Sequence, residues 1–235
     1  MAEPTDIVML THNRLAHLEA TLDALEARTR APYRLTIVDN ASGPEVRNWL
    51  AANRHRFHGL ILRPTNEFLS ALNHGIAATQ SDPFMVTDPD LIVPDLEPCW
   101  LTRMRDTFDR HPNYGLLGIG LDQSNLPSVQ EPEVIDPSEI VDGEIVARPV
   151  GSVFTLIRRD ALHAPYVTDW ETARASSVRA TGTGGRSACA PTTLVGTTSG
   201  SIPRTSPRSS SMASIARSIS SSAPRPWLSS HWPAR

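Results

Sequence analysis

Residues 85 to 95, "MVTDPDLIVPD", put two aspartates one residue apart straight after an apolar run. Packing alone asks for nothing of the kind. Paired carboxylates at a strand end can hold an oxygen-seeking divalent cation, Mn²⁺ or Mg²⁺, whose ligands are carboxylate, phosphate and water oxygens. Side chains alternate along a strand, so Asp88 and Asp90 share one side if strand geometry persists through Pro89. A lone D-x-D is weak on its own, and the plain alternative is a solvated strand end.

Other polar clusters follow apolar runs in the same way. "THNR" (11 to 14) follows "DIVML", "DN" (39 to 40) follows "YRLTIV", and "TN" (65 to 66) follows "GLILRP". Loops favour Asp, Asn and Thr for reasons of backbone conformation, so any one cluster is ordinary. Together with the D-x-D they carry more weight.

Alternating strands and helices must position these clusters. "DIVML" reads as a strand, and Leu15, Leu18, Leu22 and Leu25 then recur at helical spacing until Pro32 ends the pattern. "YRLTIVDN" is a second strand. The segment from Ser42 reads as a second helix, with Ser42 as a cap, Pro44 near its first position and Glu45 in its first turn. "GLILRPTN" (59 to 66) is a third strand, 68 to 80 a third helix, and "DPFMVTD" (82 to 88) a fourth strand. This order implies an α/β domain with a mostly parallel central sheet flanked by helices. Ligands in such sheets bind beyond the carboxyl ends of the strands, where the polar clusters lie.

In these segments the chain resembles the family-2 glycosyltransferases, nucleotide-sugar enzymes of the GT-A fold. The likeness runs from about residue 5 to 172. "DIVMLTHNRLAHLEATLDAL" resembles that family's opening strand and turn, and "LTIVDNASGPE" its second strand. "NEFLSALNHGIAAT" is similar to its Asn-rich helix, "FMVTDPDLIVPD" to its D-x-D strand end, and "RPVGSVFTLIRRDAL" (148 to 162) to the strand beneath its acceptor site. Phe68 stands where the family often has Gly, and Leu72 where an Arg commonly precedes the second Asn.

The resemblance implies site roles. Asp90 would be the metal ligand, with Asp88 near the ribose or reaching the metal through water. Asp39 would read the nucleobase, and Thr11, Asn13, Arg14, Asn66 and Asn73 would line the nucleotide-sugar cleft. Inverting transfer needs a carboxylate base on the acceptor side. "YVTDW" offers Asp169, with Glu171 as the alternative and a helix cap as the structural explanation of both. The partners implied are a nucleotide-diphosphate sugar and a glycan, lipid-linked or small-molecule acceptor. A nucleotide-sugar-binding remnant without turnover is the rival reading.

Composition bounds the rest. The chain's 235 residues suit one sizeable domain. No apolar stretch approaches the roughly 18 to 20 residues of a membrane helix, and the first residues lack a signal pattern, so a cytoplasmic location is expected. Cys99 and Cys189 are the only cysteines, too few for a disulfide framework or a four-ligand zinc site. Residues 1 to 172 hold 14 Arg against 25 Asp and Glu, a net of −11, whereas 173 to 235 carry 8 Arg, 16 Ser and no acid. That composition predicts a low-complexity, disordered extension or the product of a reading-frame change near 173. It contains no nucleic-acid-binding module, and no nucleic acid partner is expected. The domain proper is therefore 1 to 172, with nucleotide-side residues 1 to 95 and acceptor-side residues 96 to 172.

Weaker motifs resolve to ordinary structure. "GLLGIGLD" (115 to 122) lacks the third glycine of a dinucleotide loop and reads as a buried strand, and "TGTGG" (181 to 185) is no P-loop. His55 and His58 sit at the end of a helix, where partial negative charge favours them. His231 has no supporting context. A nucleotidyltransferase would show glycines and basic residues after the first strand, and "LTHNR" has none of those glycines.

Overall fold

A computed structural model describes residues 3–112, 114–121, 140–141, 144–146, 154–162 and 186–197. Its first half repeats strand, loop and helix: β1 (Thr5–Thr11), α1 (Leu15–Arg28), β2 (Tyr33–Asp39), α2 (Pro44–Ala52), β3 (Gly59–Leu62), α3 (Leu72–Ile76) and β4 (Phe84–Thr87). After it come β5 (Leu91–Ile92), α4 (Trp100–Arg110), β6 (Tyr114–Leu121), β7 (Ile140–Val141), β8 (Glu144–Val146), β9 (Thr155–Ile157) and β10 (Arg186–Thr197).

The sheet runs β3-β2-β1-β4-β9-β6-β10-β8-β7, with β5 pairing β10 off that path. Strands β3, β2, β1 and β4 run parallel to one another, and β9 lies antiparallel between β4 and β6. Alternation along each strand sends side chains to two cores. Ile7, Met9, Leu35, Ile37 and Met85 pack with α1, α2 and α4, whereas Val8, Leu10, Val38 and Val86 pack with α3. Leu18, Leu22 and Leu25 of α1 are fully buried, each contributing about 1.5–3 kcal/mol by leaving water. On the opposite face α3 lies so close that a Cβ on Gly75 would stand 2.3 Å from Val8 Cγ1 and 2.8 Å from Val38 Cγ2. Only glycine allows that approach.

Several expectations shift in detail. The third strand stops at Leu62 instead of 66, and the third helix becomes a 3₁₀ turn, Phe68–Ala71, followed by the short α3. Ser42 does not cap α2; its hydroxyl accepts from Asn13 N at 2.9 Å, and Gly43 holds the cap position. Most of the 115 to 122 run falls in the expected strand, β6, with Leu116, Leu117 and Ile119 in the core. Within the segment 173 to 235, the described residues Arg186–Thr197 pair in parallel with β6 and antiparallel with β8. Ladder hydrogen bonds need no large apolar side chains, and the β-branched Thr192, Thr193 and Val195 suit a strand. The ladder shifts register between Ala190 and Leu194, around Pro191, which has no N–H to give. Among the described residues no helix is long and apolar enough to cross a membrane.

At the end of the sheet opposite the polar loops, Asp6 ties three segments together. Its carboxylate accepts from Arg34 Nε at 2.6 Å and Nη2 at 2.9 Å, and from the amides of Gln80 and Ser81. Burial pushes this carboxyl up, but the Arg34 guanidinium and the two amides outweigh it and hold the group below its usual value of about 3.8. A depressed folded value means stability that is present above the unfolded value and lost as pH falls through the folded one. Asp6→Asn is expected to cost about 2 kcal/mol at neutral pH. Urea unfolding at pH 7 and pH 3 should show that gap narrowing in acid, and a gap of equal size at both would refute the assignment.

Candidate functional site

The strand order 3-2-1-4 reverses direction at β1, and open α/β sheets leave a crevice at such a point. The polar clusters surround it. Thr11 and Asp39 are neighbours across β1 and β2, and Arg14 and Asp90 meet across the gap between β1 and β4.

Asp39 is fully buried, with its Oδ2 accepting from Arg47 Nε at 2.9 Å and both oxygens facing Ser42 N at 3.3 and 3.4 Å. Arg47 also donates to Arg63 O, so one guanidinium joins the β2 end to the loop after β3. Beside this pair the Thr11 hydroxyl is buried and, among the described residues, lacks a hydrogen-bond partner. A buried hydroxyl without a partner costs free energy unless something supplies one.

Asn40, unread in the sequence beyond the dipeptide "DN", organises the loops. Its Nδ2 donates to Asn66 Oδ1 at 2.8 Å and Phe68 O at 3.0 Å, its Oδ1 accepts from Glu67 N, and its carbonyl accepts from His12 Nδ1. Asn66 Oδ1 also accepts from Phe68 N, which holds Phe68 at φ 51 with its side chain exposed. Where the resemblance expects Gly, the left-handed backbone persists under an aromatic residue that tolerates it poorly. Glu67 takes His74 Nε2 at 2.8 Å and Arg63 Nε at 2.7 Å, and the His74 and Arg63 bonds hold its carboxyl below the usual range.

Asn13 is also used locally. It sits at φ 55, and its Oδ1 accepts from Gly43 N, which ties the β1 turn to the residue that precedes α2. Asn73 donates to Ser70 O within its own turn. These two, with Asn66, are built into the loops around the cleft.

At the D-x-D the strand ends with Thr87, so the alternation expected through Pro89 does not continue. Residues 88 to 90 instead form a bend, with Pro89 buried and an aspartate half-buried on each side. Thr21, on the buried face of α1, fixes this bend: its Oγ1 donates to Pro89 O at 2.8 Å and accepts from Leu91 N at 3.1 Å. The sequence signal was faint, a threonine among leucines on an apolar helix face. Arg14 Nη1 donates to Asp90 Oδ2. His17, one turn along α1, has its pKa lowered by burial and then by Arg14, against an opposing pull from Asp90.

Thr21→Val keeps the shape but strands a carbonyl and an amide in the core. It should cost about 1–3 kcal/mol of stability. Crosslinking or hydrogen exchange at 88 to 92 should show a looser bend; unchanged exchange there would mean that Thr21 does not position it.

Asp169 and Glu171 lie outside the described residues, as does His231. His55 falls in the 3₁₀ turn Arg54–Arg56 after α2, and among the described residues no group of three or more His, Cys, Asp or Glu is placed to hold a metal.

Comparison with known proteins agrees with this architecture. The chain is similar to a mannosyltransferase from Pyrobaculum calidifontis solved with GDP-Man and Mn²⁺, at 17% identity and a TM-score of 0.67 over 92% of this chain and 61% of that one. It is also similar to S. aureus TarS 1-349, at 13% identity and 0.61 over 83% and 60%, and to GalNAc-T7 with UDP, GalNAc and Mn²⁺, at 14% and 0.63 over 83% and 43%. It thus spans about 61% or less of the length of these structures. No curated protein matches it. The sequence model of glycosyl transferase family 2 matches residues 6–162, which takes in β1 to β9 and every strand end around the crevice, and the chain belongs to that family.

Proposed function

We propose that the chain binds a nucleotide-diphosphate sugar across the β2, β1 and β4 ends and transfers the sugar, with inversion, to an acceptor hydroxyl. The observation that carries this reading is the pairing of two unlike sites at one crevice. A buried carboxylate beside a buried hydroxyl without a partner suits a nucleobase edge, and an ion pair on a D-x-D suits a diphosphate with its counter-ion. Family membership supports the same assignment.

Thr11 and Asp39 orient the base, and Asp88 approaches the ribose. Arg14 meets the diphosphate. Asp90 and Asp88 would hold Mn²⁺ or Mg²⁺, and their chemistry fits: both are hard oxygen donors, half-buried, on a bend fixed by Thr21. Two carboxylates alone would not complete such a shell, and oxygens of the diphosphate and water would have to supply the remainder. Bound there, a divalent cation offsets the negative charge that builds on the departing diphosphate. On the acceptor side Asp169, or Glu171, takes the proton of the attacking hydroxyl.

Calorimetric titration with UDP, GDP, ADP, CDP and dTDP, with and without Mn²⁺, tests the binding half. One of them is expected to bind and to tighten with metal. The corresponding donor sugars, followed for release of nucleoside diphosphate with and without candidate acceptors, test turnover. Binding without any release would leave the remnant reading standing in place of transfer, and no binding at all would end both.

A further inference from the structure

Asp90 already carries a cation, the Arg14 guanidinium, and both side chains stay partly open to solvent at 40% and 32%. Their backbones are anchored independently. The Arg14 carbonyl accepts from His17 N and Leu18 N at the start of α1, and Thr21 grips the chain on either side of Asp90. The pair therefore spans the crevice between two anchored backbones, and arginine has the longer side chain of the two. A guanidinium and a divalent cation seek the same carboxylate and repel each other at short range. A diphosphate is the bidentate partner that a guanidinium favours.

We infer that Arg14 is a positioning residue that couples cation binding to diphosphate binding. It holds Asp90 as an ion pair and yields the carboxylate to Mn²⁺ or Mg²⁺ when a diphosphate receives its guanidinium. This rests on the nucleotide-sugar reading of the site. The consequence is reciprocal: nucleotide raises metal affinity, and metal raises nucleotide affinity by the same factor. A staple that merely braced the β1 and β4 loops would contribute to stability and leave that factor unchanged.

The test uses the full chain as wild type, Arg14→Met and Arg14→Lys, with free Mn²⁺ followed by electron paramagnetic resonance. Each protein is titrated with Mn²⁺ alone and then at saturating concentration of the tightest binder among UDP, GDP, ADP, CDP and dTDP. Arg14→Met is expected to bind Mn²⁺ alone about five-fold more tightly than wild type, the upper end for a partly exposed pair. Its nucleotide-induced gain in Mn²⁺ affinity should shrink by at least that factor. Arg14→Lys keeps the charge and should retain most of the coupling. It also serves if the methionine variant melts early, because a lysine variant with stronger coupling than wild type would equally contradict the inference. Arg14→Met with unchanged or weaker affinity for Mn²⁺ alone, or with undiminished coupling, overturns the inference while leaving the nucleotide site intact. Wild type whose nucleotide binding ignores Mn²⁺ overturns the inference together with the metal assignment, and wild type that binds none of the five nucleotides overturns the nucleotide-sugar reading itself.

Discussion

Asp90→Asn is expected to abolish the rise in nucleoside diphosphate affinity that Mn²⁺ brings, a loss on the order of 100-fold, because even outer-shell partners account for 10–100-fold in metal affinity. The substitution nearly preserves side-chain size and removes the charge, so the effect reports coordination and not collapse. Stability should change little: the Arg14 pair is partly exposed, and such pairs contribute at most about 1 kcal/mol. Asp88→Asn should be milder if Asp88 works through the ribose or a water molecule. Isothermal titration with and without chelator separates these outcomes. Chelator-insensitive binding by the wild type, with both variants indistinguishable from it, would reduce the D-x-D to a solvated bend.

Asp39→Asn should weaken nucleotide binding by about 10- to 100-fold, the equivalent of one lost hydrogen bond to a charged group. Burial complicates the measurement, since the same carboxylate holds Arg47 and the Ser42 amide. The variant therefore also loses stability, about 2 kcal/mol for a buried carboxylate whose partner is partly exposed. Arg47→Gln is the control, because it removes the ion pair and leaves the carboxylate that would face the base. Its stability should fall by a similar amount while its nucleotide affinity stays within a few-fold of wild type. Equal affinity losses in the two variants would mean that Asp39 supports the loop architecture alone. Wild-type affinity in Asp39→Asn would remove it from the site.

Much of the domain was legible because its signals are local. Apolar runs closed by polar turns marked β1 to β4, and leucines at helical spacing marked α1 with the start now seen at Leu15. The boundaries that moved are those where local pattern competes with tertiary packing. Helix α3 is cut to Leu72–Ile76 by a 3₁₀ turn that Asn40 holds from the neighbouring strand end. Ser42 has the right residue type for a cap, yet the Asn13 amide claims its hydroxyl from a turn 29 residues away.

The sequence by itself determined which residue types stand at the strand ends, and so the chemistry available there: carboxylates at 39, 88 and 90, a hydroxyl at 11 and a guanidinium at 14. It did so because strand and helix periods are properties of neighbouring residues. Only the tertiary structure decided which of these groups meet. Arg14 reaches Asp90 across 76 positions, Thr21 grips the D-x-D bend across 68 and 70, and β9 enters between β4 and β6 from far along the chain. Such pairings depend on the order in which strands join the sheet. Side-chain chemistry is written locally, whereas its neighbours are set by closure of the whole sheet.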